Sequence, residues 1–196
     1  MFELVYPLEP APLLPRRNAS LEAPVVAPSG EMLPVVEGES GLVIGQSSRD
    51  KCHSLRLLHP VVHLHIIDRL GNIYLQKRAP DKSLYPGLWD FAVGGHVIYG
   101  ELAAETLYRE AAEEIGLTGF NPTFIEQYVY DIDSQLELSC VYAAIGHFEL
   151  NPDNEEVSEG KWWTIPQIEA SIGKKVFTPV FEREFTRIKH KLLSLL

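Results

Sequence analysis

The sequence predicts an α/β fold: strand-like β-branched runs alternate with helical patterns, and a glycine pair joins one of those strands to a helix rich in carboxylates. A chain of 196 residues, 45% hydrophobic and 22% charged, is the right size for one domain with a buried core.

Seven of the 14 prolines fall in the first 34 residues, where fixed φ and missing amide donors disfavour helix and central strand. Residues 1–31 are therefore expected to form a Pro-rich extended arm; packing on its own domain, packing on a partner subunit and disorder are all open. The globular domain is expected over residues 32–196. Residues 61–67 and 73–77 are strand-like, and the turn chemistry of Asp68, Gly71 and Asn72 between them predicts a hairpin. Residues 82–88 make a loop around Pro86 and Gly87, and residues 89–93 a short strand ending at Gly94 and Gly95. Residues 101–115 form a helix rich in Ala, Leu and Glu, closed by Gly116 where a left-handed cap fits. Strands are expected at 124–130, 136–148 and 160–164, an acidic loop at 151–156, and helices at 165–172 and 179–196. Trp162 and Trp163 are expected to fill a core strand. Phe181, Phe185, Ile188, Leu192 and Leu193 give the last helix an apolar stripe for its own domain or, in a homodimer, for a second subunit.

Composition removes several function classes. A net charge of −10 and a pI near 5.1 argue against nucleic acid or an anionic membrane surface as a partner, because both call for clustered Lys and Arg. No run approaches the ~20 apolar residues that span a bilayer, and residues 1–10 lack the basic start of a secretory leader, so a cytoplasmic protein is expected. Cys52 and Cys140 show neither metal nor redox spacing and are expected as reduced thiols. An acidic protein that binds a small anionic substrate needs a local cation, from side chains or from metal.

At 100° per residue, Glu110, Glu113 and Glu114 share one face of the carboxylate helix, beside an apolar stripe of Ala104, Leu107, Ala111 and Ile115. Like charges at such spacings repel by about 0.2–0.5 kcal/mol each, so gathering them stabilises nothing unless a cation joins them. Hard oxygen ligands on a rigid helix suit Mg²⁺ or Mn²⁺. An isolated E-x-x-E-E would be an ordinary solvated face; here it sits in a longer frame, Gly95, Glu101, Arg109, Glu110, Ala111, Glu113, Glu114, Gly116 and Leu117, spaced as G-x5-E-x7-R-E-U-x-E-E-x-G-U with U apolar. From average residue frequencies the chance of this match is on the order of one in ten million.

That window resembles the signature of the Nudix (MutT-like) hydrolase superfamily, and the similarity extends over residues 32–181. The resemblance implies an α/β/α sandwich with a mixed sheet, and hydrolysis of a diphosphate linkage in a nucleoside diphosphate derivative or similar small molecule. It implies that Glu110, Glu113 and Glu114, with Gly95, hold the metal, that Glu110 is a candidate base, that Arg109 orients Glu110, and that Glu101 braces loop and helix. Gly94 and Gly95 let backbone approach metal and phosphate.

The flanks resemble the branch that contains isopentenyl diphosphate isomerase. The similar stretches are residues 75–78, 84–90, 95–96 and 155–157 with Trp162, and residues 177–179. Arg78 and Lys82 match the spacing of an R-x-x-x-K pair that holds diphosphate in the isomerases, and a guanidinium fork beside a point charge suits that task. His59, His96 and Glu137 align with three of five isomerase metal ligands; His53 is one residue out of register and Gln135 replaces the fifth. These three are expected as a second metal site, in which imidazoles favour Mn²⁺ or Zn²⁺. Strand alternation places His59, His63 and His65 on one face, with structural and pocket roles both open. The isomerases place a catalytic Cys where this chain has Gly94, which has no group to move a proton at carbon. Hydrolysis is therefore expected, with an isomerase-like enzyme and a non-catalytic nucleotide-sensing module as the alternatives. Glu155 and Glu156 are candidates for an extra base or ligand from a loop.

Overall fold

A computed structural model describes residues 30–132, 135–152 and 156–196. The expected N-terminal arm lies outside them except for Gly30 and Glu31, and Glu155 lies outside them too. The described residues open with a hairpin of β1 (Met32–Glu37) and β2 (Leu42–Ser48), then a short α1 (Arg49–Ser54). None of these three is among the elements expected from the sequence.

The main sheet has seven strands: β3 (His59–Ile67), β4 (Ile73–Arg78), β5 (Trp89–Asp90), β6 (Val93–His96), β7 (Thr123–Ile132), β8 (Gln135–Ile145) and β9 (Val157–Trp163). β3 is central and wholly buried; it runs parallel to β8 and antiparallel to β4 and β6, so the sheet is mixed. The two faces of β3 serve two cores. Val62, Leu64 and Ile66 pack with Leu107, Ala111 and Ile115 of α2 (Ala103–Ile115). Ile67 shares the opposite core with Phe181, Phe185, Ile188 and Leu192 of α4 (Pro179–Leu193), so that stripe is covered by its own domain except at the exposed Leu193. Helices on both faces of the sheet give the expected α/β/α sandwich. α3 (Ile165–Ser171) and α4 each follow a threonine cap and carry a proline in the first turn, Thr164 with Pro166 and Thr178 with Pro179, where a side-chain acceptor and a preset φ both favour a helix start.

Along one edge β3 is shared by two neighbours. It pairs with β4 only at Ile66 and Ile67, and with β6 from Val61 to Leu64. The sheet therefore forks, with β4, β5 and β9 in one branch and β6 still on β3. The single strand expected at residues 89–93 is in fact cut in two by this fork. Asp90 Oδ1 accepts the Phe91 amide at 3.0 Å, taking that donor out of the ladder, and the Ala92 amide then donates to Leu64 O on β3. α2 starts at Ala103 rather than residue 101: the Glu105 carboxylate reaches back to accept the amide of the cap residue Leu102 at 2.8 Å. Among the described residues no helix is long and apolar enough to cross a membrane.

Candidate active site

The fork opens a cavity of about 170 Å³ whose lining comes from both branches: Arg78 and Asp90 from one, His63, Gly94, Gly95 and His96 from the other, with Glu114 reaching in from α2. Burial of Leu107, Ala111 and Ile115 fixes the rotation of α2 and so aims its carboxylates at the glycine pair. Glu114 is buried; its Oε2 accepts the Gly94 amide at 3.3 Å and Gln76 Nε2 at 3.1 Å. Burial, reinforced by the nearby Glu110, pushes its carboxyl up to about 8. Glu110 is also raised, by burial, with Arg109 opposing. Its carboxyl lies against the Gly95 backbone so closely that a Cβ on residue 95 would sit 2.3 Å from Glu110 Cδ.

Arg109 ties the acidic face together. Its Nη1 donates to Glu110 Oε1 at 2.8 Å and to Glu113 Oε2 at 3.1 Å, and its Nη2 to Glu101 Oε2 at 3.2 Å. The same Glu101 oxygen accepts from Thr106 Oγ1 at 2.8 Å, which braces the helix start. Glu113 is the exposed member of the trio. Glu156 lines the cavity from its loop and adds to the negative field on Glu110 and Glu114.

Arg78 and Lys82 both line this cavity, and both already face carboxylates. Arg78 Nη1 is 3.7 Å from Asp90 Oδ2, and Lys82 Nζ is 2.7 Å from Glu156 Oε2. Asp90 is buried and raised by that burial, although Thr178 Oγ1 donates to it at 2.9 Å.

Five of the seven histidines divide into two groups. His59 and His96 stack with ring centres 5.3 Å apart, and His53 stands edge-on to both, at 5.0 and 5.2 Å. One ring nitrogen from each of the three lies within 4.8 Å of the others. α1 carries His53 into this group, so the expected set of His59, His96 and Glu137 gains the histidine that stands one residue out of register in the sequence. Glu137 sits opposite His59 in the β3–β8 register and lines the cavity, but it stands outside the three-ring cluster. Burial holds His59 down at about 4 and His96 well below the usual imidazole range, so both are neutral at pH 7. Among the described residues, Nε2 of each is buried without a hydrogen-bond partner, as is Gln135 Oε1.

His63 and His65 instead reach Glu184 of α4. His63 Nδ1 lies 2.7 Å from Glu184 Oε2, His65 Nε2 lies 2.6 Å from Oε1, and Tyr128 Oη donates to Oε2 at 2.8 Å. Glu184 was missed in the sequence, although its signal is present: a carboxylate placed among Phe181, Phe185 and Ile188 of a buried stripe needs a partner inside. Gly94 meets Phe91, whose ring carbon would lie 2.3 Å from any Cβ there, so the position of the isomerase cysteine is filled by an aromatic ring. Trp163 is buried in the core, and Trp162 packs against Tyr74 and His147.

Comparison with known proteins identifies the family of the domain. The NUDIX domain model matches residues 57–181, starting at the loop before β3. The chain is 32% identical over 146 residues to the uncharacterized Nudix hydrolase YfcD of Salmonella typhi, covering 74% of this chain and 77% of that one. It is 31% identical over 138 residues to an isopentenyl-diphosphate Delta-isomerase of Leifsonia xyli, covering 65% and 74%. The crystal structure of DR0079 from Deinococcus radiodurans superposes with a TM-score of 0.69 at 25% identity, over 80% of this chain and 98% of the other. A family model that spans most of the domain, relatives at this identity and a shared fold together place the chain in the NUDIX domain family, as a Nudix hydrolase.

Proposed function

We propose that the protein is a divalent-metal-dependent hydrolase that cleaves a diphosphate linkage in a nucleoside diphosphate derivative or similar small molecule. The observation that carries this reading is the approach of Glu110 and Glu114 to the Gly94–Gly95 backbone, beside a cavity that also holds Arg78 and Lys82. The carboxylates fit a metal on their own chemistry: burial and mutual repulsion raise two of them, and a cation would relieve both effects. Mg²⁺ or Mn²⁺ held by Glu110, Glu113, Glu114 and the Gly95 carbonyl would supply charge neutralisation at the diphosphate and activation of water.

The chain's own residues do the rest. Arg109 fixes Glu110 through Oε1, leaving Oε2 to take a proton from the attacking water. Water oxygen bonds to phosphorus as the bridging P–O bond breaks, and the freed phosphate leaves with the electron pair. Arg78 and Lys82 turn from Asp90 and Glu156 towards the substrate's non-bridging oxygens, a sharing that holds the cavity's cations in place before substrate arrives. Isomerase chemistry is disfavoured, because Gly94 brings no proton donor and Phe91 fills the space of one.

The test is a panel of diphosphate compounds with Mg²⁺ or Mn²⁺ and product analysis. Wild type is expected to release phosphate or a nucleoside monophosphate from some member, and Glu110→Gln to lose about 10²–10⁴-fold in rate. Unchanged turnover in that variant removes Glu110 from the role of base.

The orphaned ring nitrogens support a second metal site, formed by His53, His59 and His96 with Glu137 beside them and selective for Mn²⁺ or Zn²⁺. His96→Ala is expected to weaken binding of that metal in a calorimetric titration. A curve identical to wild type counts against the site.

A further inference from the structure

The hydrolytic reading makes no use of the buried cluster that joins α4 to the floor of the cavity. Glu184 has no exposed surface, and its carboxylate is approached by His63, His65 and Tyr128. A carboxylate taken out of water costs several kcal/mol unless a cation and hydrogen bonds compensate it. Here the hydrogen bonds are present, and the partners able to carry positive charge are the two imidazoles.

They are not equivalent. His65 has no exposed surface and is packed near Phe91 and Phe181, whereas His63 lines the cavity together with Arg78, Lys82, Gly94 and Glu114. With Nδ1 turned to Glu184, Nε2 is the ring nitrogen left to serve the cavity. The ring is also held from its face, stacked on Phe91 at 3.9 Å and 23°. It is thus fixed at one edge and one face before any ligand arrives, so binding costs little side-chain freedom.

We propose that His63 is a substrate-binding residue, its Nε2–H donating to a non-bridging oxygen of the substrate's diphosphate, and that Glu184 is the positioning residue that holds the ring for this contact. The proposal rests on the diphosphate reading and adds to it a donor from the cavity floor. Arg78 and Lys82 are shared with Asp90 and Glu156, but His63 directs its own counter-ion away from the cavity; with Nδ1–H given to Glu184, the ring protonated on both nitrogens keeps Nε2–H for the ligand. The carboxylates of Glu184, Asp90 and Glu137 all raise the affinity of His63 for its proton against the opposing effect of burial. Tyr128, its phenol raised mainly by burial, stays neutral and contributes only a hydrogen bond.

Two measurements test this. Nitrogen-15 NMR of the imidazoles in full-length wild-type protein with Mg²⁺ follows the His63 Nε2 resonance as methylenediphosphonate, a non-hydrolysable diphosphate, is added; calorimetry reports binding in parallel. A ligand-dependent shift of Nε2 is expected. Binding by calorimetry without that shift overturns the role of His63 and leaves the diphosphate reading standing, whereas no binding at all overturns both.

In kinetics with the substrate found by the panel, His63→Gln is expected to raise KM about 10–100-fold with kcat changed by less than about fivefold. Glu184→Gln is expected to raise KM in the same direction and to broaden or move the Nε2 signal before any ligand is added. Loss of kcat at constant KM in a folded His63→Gln protein would overturn the binding role, and the wild-type NMR experiment decides the matter should either variant fail to fold.

Discussion

Gly95 and Glu110 compete for one small volume, and glycine yields it. A Cβ on residue 95 would meet Glu110 Cδ at 2.3 Å and Oε1 at 2.4 Å, the same oxygen that Arg109 holds. Gly95→Ala should therefore push the carboxylate off its Arg109 anchor. A displacement of about 1 Å at a catalytic group can cost about 100-fold in rate, whereas overpacking of this kind costs about 1–3 kcal/mol of stability. The expected result is a folded protein with turnover down by that order, read from kcat and a denaturant melt on the same preparation. Wild-type turnover in Gly95→Ala would show that Glu110 works from another position. At this scale the sequence was highly informative, since the spacing of Gly95, Arg109, Glu110, Glu113 and Glu114 is itself the signal. It was silent on Phe91, because nothing in a linear string shows that this ring occupies the space beside Gly94.

Two elements far apart in the chain, β3 and α4, meet through Glu184, and the pH dependence of that contact has a definite sign. Glu184, of ordinary value 4.5, is lowered because the imidazoles outweigh its burial, so its contribution is present above pH 4.5 and is lost as pH falls through its folded value. His63, of ordinary value 6.5, is raised, so its contribution is complete below pH 6.5 and is lost as pH climbs through its folded value. The two overlap between pH 4.5 and 6.5. Removing one partner of a buried pair costs about 3–5 kcal/mol, so the stability gap between wild type and Glu184→Gln should peak in that window and narrow on both sides. Denaturant melts across pH 4–8 measure it, and a gap that stays flat throughout would mean the cluster is uncharged. The helix that carries Glu184 was legible from its apolar stripe, and β3 from its β-branched run. Their meeting was not, because the partners are separated by 121 positions and no local pattern links them. α1 and β2 were missed for a different reason: α1 is only six residues long, and β2 leaves Leu42 and Ile44 exposed, so neither shows the periodicity that burial imposes.

For the whole molecule, the layers follow from alternation. Val62, Leu64 and Ile66 of β3 face α2 while His63, His65 and Ile67 face α4, so one strand organises two cores and presents His63 and His65 to a helix near the end of the chain. The fork is the consequential departure from a regular sheet, because it lets residues of both branches line one cavity. The sequence by itself determined the family, the carboxylate helix and the cations Arg78 and Lys82, since each is written in spacings of a few residues that a helix turn or a short loop converts directly into proximity. Only the tertiary structure decided where the sheet splits, that His53 joins His59 and His96, that the last helix covers its own domain, and that Glu184 grips His63. Those contacts arise between segments brought together by packing, whose registers are set by the shape of the whole core rather than by any local pattern.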